Sequence, residues 1–85
     1  METIAEKNLP EKKYKAGSVT ATIWLNETSK GTNKFSYRTV NLERNYKDIN
    51  DKWKSTNSLR LNDLPRAALV LNKAYEYIAT SESAA

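Results

Sequence analysis

Cations and flat aromatic rings are the side chains of this sequence best suited to gripping a ligand, and both gather between residues 24 and 60. Trp24, Lys34, Tyr37, Arg38, Arg44, Lys47, Lys52, Trp53, Lys54 and Arg60 make up the set. Ammonium and guanidinium groups meet phosphates, and each ring offers a face on which a base stacks, worth about 1–3 kcal/mol per base. That pairing of residue types is what sequence-tolerant binding of a single nucleic-acid strand requires. Lys54 and Arg60 are expected as the leading phosphate contacts, and Trp24 with Tyr37 as the stacking platform. Asn41, Asn45 and Asn57 could read base edges, although asparagine near turns usually satisfies backbone groups.

Catalysis finds little footing. The chain contains no histidine and no cysteine, which removes the commonest general base and metal ligand and every Ser-His or Cys-His arrangement. Asp48 and Asp51 are a close carboxylate pair, but a solvated turn explains them better than acid-base work. The same stretch starts like a calcium loop with Asp48 and Asn50, then lacks the required glycine and has Leu59 where the bidentate Glu belongs. With only two glycines there is no P-loop or dinucleotide fingerprint. The expectation is a binding protein without catalytic residues, metal, cofactor or small-molecule substrate.

The elements that must carry these side chains can be read from period and punctuation. Residues 18–26 alternate with period two, placing Val19, Ala21, Ile23 and Leu25 on one face and Thr20, Thr22, Trp24 and Asn26 on the other. Residues 27–33 read as a longer hairpin loop. A second strand over 35–47 points Val40 and Leu42 inward and Tyr37, Thr39, Asn41 and Glu43 outward. Arg38, Arg44 and Tyr46 share the inward parity, so they must lie beyond the covering helix or a bulge must change the register. After a turn at 47–51, a third strand over 52–61 buries Leu59 and Leu61 and leaves Lys54, Thr56, Ser58 and Arg60 on the open face.

The period then lengthens. Asn62 suits an N-cap and Pro65 a first turn, and Leu64, Ala67, Ala68, Leu71, Ala74, Tyr75 and Ile78 recur at helical spacing up to about residue 80. Leu69, Val70 and Tyr77 widen the apolar surface beyond one stripe, so Leu69, Val70, Lys73 and Tyr77 are expected in a homodimer interface. The organisation is an α+β domain over 16–80. It has three to four curved antiparallel strands, then one C-terminal amphipathic helix (β-β-β-α). A flexible basic arm over 1–15 and a disordered tail over 81–85 complete the chain.

Charge reinforces the choice of ligand. Residues 12–60 hold eleven cations against Glu27, Glu43, Asp48 and Asp51, a surplus of seven, whereas the flanks are mildly acidic. A positive field of this kind draws polyanions over about 8 Å at physiological salt. With no apolar leader or long apolar run, the expectation is a soluble intracellular protein, cytoplasmic or associated with the nucleoid, without a membrane partner.

The order of elements and several local motifs resemble the single-stranded-DNA-binding domain of the positive cofactor four family of transcriptional coactivators. Residues 40–48, Val-Asn-Leu-Glu-Arg-Asn-Tyr-Lys-Asp, resemble that family's second strand running into an Arg, an aromatic and an acidic turn. Leu59-Arg60-Leu61-Asn62 resembles its step from third strand to helix. The family's Gly-Lys-Gly-rich third strand has no counterpart, and its early helical Trp is missing. Ala16-Gly17 and Ala74 to Ile78 are as similar to Pur-alpha repeats, and Whirly proteins share a related layout. These resemblances imply a dimer that binds single strands across its sheets, in transcription, replication, repair or recombination. The rival reading is a protein-interaction module whose basic sheet docks an acidic partner. Exposure of Trp24 and Tyr37 among cations favours stacking, and their burial favours the rival.

Overall fold

The computed structural model describes residues 4–82, so the first three and last three residues of the expected arm and tail lie outside the described residues. Four strands form one antiparallel sheet in the order of the chain: β1 (Ile4–Ala16), β2 (Val19–Lys30), β3 (Asn33–Lys47) and β4 (Trp53–Thr56). A 3-10 turn (Leu61–Asp63) leads into one helix, α1 (Leu64–Glu82). This is the expected α+β design, a sheet followed by a C-terminal helix, with a fourth strand contributed by the N-terminus.

The expected arm is therefore a strand. It pairs with β2 along its whole length, and the register shifts between Pro10 and Lys12. Paired residues share a face, so Tyr14 lies with Ala21 and Leu9 with Leu25, both on the helix side. The extra residue, Glu11, is what lets an even-numbered and an odd-numbered position point the same way. A period-two scan across 4–16 sees the parity switch as absence of pattern.

The hairpin loop expected over 27–33 is likewise strand. β2 and β3 stay in register from Val19 opposite Arg44 to Lys30 opposite Asn33, closed by Gly31 and Thr32 alone. Gly17 and Ser18 close the β1–β2 hairpin in the same manner. Both glycines have positive φ, 61° at Gly17 and 62° at Gly31, the conformation that two-residue hairpins demand at their first central position. The turn after β3 uses an Asx arrangement, in which Asp48 Oδ1 accepts the backbone N–H groups of Asn50 (2.8 Å) and Lys52 (3.0 Å), with Asp51 at φ 64°.

The core is small. Val19, Ala21 and Ile23 on β2 are fully buried and face Ala67, Val70 and Ala74 of α1, with Tyr14, Ala16, Leu42 and Leu59 around them. Alanine at 21, 67 and 74 lets the helix settle close to the sheet. The buried stripe is thus Ala67, Val70, Ala74 and the half-buried Tyr77, whereas Leu64, Leu71 and Tyr75, expected in the core, are exposed. The third expected strand is shorter than its pattern suggested. β4 ends at Thr56, the chain turns toward the helix, Leu59 packs on the core from a loop, and Leu61 is exposed. The helix start also differs: Asn62 lies inside the 3-10 turn, whose N-cap is Arg60, and Asp63 reaches back with Oδ2 accepting the Arg60 N–H at 2.8 Å.

The helix covers only part of the sheet. Strands β2 and β3 run on to the Gly31 turn as an overhang, and the molecule measures 50 × 33 × 15 Å. Its radius of gyration is 16.2 Å, against about 12 Å for a compact chain of this length.

Candidate nucleic-acid interface

Register assigns each side chain of the sheet to one of two faces. With Leu42, opposite Ala21, on the helix side, the other face carries Thr20, Thr22, Trp24, Asn26 and Thr28 from β2. Phe35, Tyr37, Thr39, Asn41, Glu43, Asn45 and Lys47 of β3 join them, with Lys13 and Lys15 from β1 and Trp53 and Ser55 from β4. This open face has rings at both ends and a polar middle.

One ring cluster lies on the overhang. Tyr37 is 56% exposed and Phe35 60%, while Trp24 is half-buried beside Pro10 and Thr39. Asn26 is buried among them and ties the two strands together. Its Nδ2 donates to Thr39 Oγ1 at 3.0 Å and to the Tyr37 carbonyl at 3.4 Å. That places Asn26 as the fixed floor between the rings.

The other ring stands alone at the opposite end. Trp53 is 69% exposed, and the Lys47 ammonium lies 5.4 Å from its ring centroid, a cation–π arrangement. Beside it Lys15, Asn45, Lys54 and Ser55 help line a cleft of about 400 Å³. The Lys54 ammonium also reaches Asp48 Oδ2 at 3.3 Å. The Asp48 carboxyl is held below its ordinary range, chiefly by the Lys52 N–H and further by the Asn50 N–H and Lys54.

Between the ends, Thr20 and Thr22 are buried although, among the described residues, no element covers this face. They sit in rows flanked by Lys15 and Glu43, and by Lys13 and Asn41, whose longer side chains rise around them. The middle of the face is a shallow polar trough with lysines along its β1 side.

Several expected phosphate contacts are elsewhere. Lys34, Arg38, Arg44 and Lys54 have helix-side parity, so Lys54 and Thr56 are not on the open face as the alternation had suggested, and Arg60 belongs to the loop before the helix. β4 begins at Trp53, which opposes Lys47, and that pairing sets the parity. Lys52 is exposed in the turn. Arg38 and Arg44 are structural ties. Arg38 Nε donates to Glu11 Oε1 at 2.8 Å, and Arg44 Nε lies 3.3 Å from Asp63 Oδ2 and donates to the Ser58 carbonyl at 3.2 Å. The Arg44 guanidinium also lies over the half-buried Tyr46 ring at 5.5 Å, which accounts for Tyr46 as a packing residue.

The surfaces expected to pair two copies divide in the same way. Val70 is in the core and the Tyr77 hydroxyl donates to Glu11 Oε2 at 2.6 Å, so both are used within the chain, whereas Leu69 and Lys73 are exposed. Glu11 thereby binds β3 and the helix at once. Its carboxyl is held below the usual range by the Arg38 hydrogen bond first and the Tyr77 hydroxyl second, and the Tyr77 phenol is pushed up by the Glu11 carboxylate.

Of the set expected from sequence, Trp24, Tyr37, Lys47 and Trp53 share the open face. Phe35 joins them unforeseen, and Lys13 and Lys15, expected in a flexible basic arm, join them from β1. Phe35 has the parity of Tyr37 and could have been counted. The two lysines needed β1 to be seen as a strand. Among the described residues no group of three or more acidic side chains could hold a metal ion, and no helix is long and apolar enough to cross a membrane. Comparison with protein-family models, curated proteins and solved structures finds no match to this chain.

Proposed function

We propose that this protein binds single-stranded nucleic acid across its open sheet face, as a homodimer, with little sequence preference. The observation that carries the reading is the company of the exposed rings. Tyr37, Phe35 and Trp53 stand clear of the core on one face, with Lys13, Lys15 and Lys47 on that same face. Bases stack on the rings and phosphates run past the lysines, the arrangement that sequence-tolerant single-strand binders use. A partner bound only through charge would have no use for bare aromatic rings. The role is one of binding rather than catalysis, inside the cell, in the manner of the positive cofactor four, Pur-alpha and Whirly groups that the sequence resembles.

Titration of intrinsic tryptophan fluorescence with a single-stranded oligonucleotide of about 20 nucleotides tests this. Quenching by the single strand, a weak response to the matching duplex and loss of affinity with salt are the expected results. Three neutralised phosphates give a log–log salt slope near −2. Absence of binding to either form at low salt would sink the proposal and leave an acidic protein surface as the partner of the basic sheet. Trp53→Ala should weaken binding by about 1–3 kcal/mol without changing the far-ultraviolet spectrum, because the ring contributes nothing to the core.

A further inference from the structure

From the unpaired stretch of β3 and the bare flank of α1 beside it, we infer that two copies of this chain join edge to edge, β3 against β3. The sheet has two outer strands for most of its length, β1 and the part of β3 not covered by β4, and they are treated differently. β1 carries Pro10, the bulge at Glu11 and Lys12, Lys13 and Lys15, devices that blunt an edge. β3 from Asn33 to Glu43 has no proline, no bulge and an unbroken register, and β4 pairs only with Arg44 to Lys47.

Hydrogen-bond alternation shows which groups that edge presents. The Asn45 N–H donates to the Ser18 carbonyl at 2.9 Å, so odd-numbered residues of β3 aim their peptide groups at β2 and even-numbered ones aim outward. Lys34, Ser36, Val40 and Leu42 therefore turn an N–H and a C=O to the open side, a ladder that only another strand completes.

The helix adds an apolar wall above the same edge. Arg66 folds toward the β1–β2 turn, its Nε 3.1 Å from where a Cβ on Gly17 would be. The opposite flank, about 100° further round the helix than the core stripe, hangs over β3. It bears Leu64 (51% exposed), Leu71 (41%) and Tyr75 (72%), and Val40 (39%) has helix-side parity on the strand. A single extended peptide at the edge would complete the ladder and leave this wall bare, since the helix axis stands about 10 Å above the sheet. A second copy brings a helix at the matching height.

The two-fold is self-consistent in sequence. With Tyr37 near the axis, Tyr37 meets Tyr37, Phe35 meets Thr39, and Ser36 meets Arg38 rather than another Arg38, and the partner's Gly31 turn ends opposite Glu43, short of the stretch that β4 occupies. Two four-stranded sheets become one of eight, and both open faces lie on the same side of it. This interface shares with the nucleic-acid reading only the assumption that two copies act together, and it is measured without ligand.

Sedimentation equilibrium of the full chain is the test, with Val40→Pro as the disrupting variant. Proline there removes an outward N–H and spares the ladder to β2. The expected result is a wild-type dimer at about 100 μM or below and at least a tenfold rise in the dissociation constant for Val40→Pro, about 1.4 kcal/mol. Asn8→Pro on the blunted edge leaves the dimer intact. Tyr37→Cys, at a side chain 56% exposed and outside the core, decides independently of any folding defect. Facing non-hydrogen-bonded positions lie about 4.5 Å apart, so it forms an interchain disulfide on mild oxidation. A monomeric wild type, or a dimer indifferent to Val40→Pro with no Tyr37→Cys crosslink, overturns the inference whether or not nucleic acid binds.

Discussion

Glu11 ties three elements with one carboxylate, and its protonation is therefore a stability switch. Arg38 on β3 and Tyr77 near the end of α1 both donate to it, and both bonds favour the charged form. Because the folded carboxyl sits below its ordinary value of 4.5, the stabilisation is fully present above that pH and disappears as pH falls through the depressed folded value. Tyr77 has the opposite sign. Its phenol is raised above 10.0, so its contribution holds below that pH and is lost as pH rises through the folded value. Thermal melts across pH should show Tyr77→Phe with a lower Tm at neutral pH, a shallower acid decline, and no alkaline decline of its own. An unchanged acid limb in a Glu11→Gln variant would show that the tie adds nothing.

The helix and its small core respond to volume rather than charge. Val70 is 2% exposed and sits among Val19, Ala21 and Ala67, with Tyr14, Leu42 and Leu59 packed around the cluster. Val70→Ala should cost about 2 kcal/mol, and for a domain of this size each kcal/mol lowers Tm by roughly 4–8 °C. Calorimetry checks this, and a loss below about 0.5 kcal/mol would mean that the helix carries little of the stability. At the β1–β2 turn, Gly17→Ala should cost about 1–2 kcal/mol because its φ of 61° disfavours a Cβ, while Gly17→Asn is better tolerated. The flexible end of Arg66 can move aside, so the backbone and not the contact sets the penalty.

These elements also show what sequence can and cannot reveal. The alternation over Val19 to Ile23 marks a buried strand because the helix covers it, and the Asp48 turn announces itself through Asx chemistry. β1 is hidden by its own bulge. The two-residue turns Gly17-Ser18 and Gly31-Thr32 go unread, and the polar stretch around Gly31 looks like a loop because the overhang is wet on both faces. The buried side of the helix lies one flank away from the side that spacing alone selects, since Leu71 and Tyr75 satisfy the same spacing as Val70 and Ala74. Which flank is inside depends on the size of the alanines facing β2, a property of the pair of elements and not of either alone.

For the whole molecule the decisive quantity is the distance between the two ring sites. Trp53 opposes Lys47 and Trp24 opposes Thr39, so eight residues of β3 separate them, about 27 Å along an antiparallel strand. At about 3.4 Å per stacked nucleotide, a strand of roughly eight nucleotides spans the trough, and shorter ones reach one ring site only. Linking two weak contacts through one ligand raises affinity without new contacts, by up to 10²–10⁴-fold when the length fits. Affinity measured against oligonucleotide length should therefore rise slowly to about six nucleotides, climb steeply near eight to ten, and then level off for one subunit. Trp53→Ala removes the far site and should abolish the steep step while leaving the affinity of a four-nucleotide strand for the Trp24, Tyr37 and Phe35 cluster nearly unchanged. A smooth rise with length that Trp53→Ala merely scales down would mean that the rings act singly along an electrostatic track. In that event the buried threonines and the lysines of β1 would be setting the path of the strand, with neither end anchoring it.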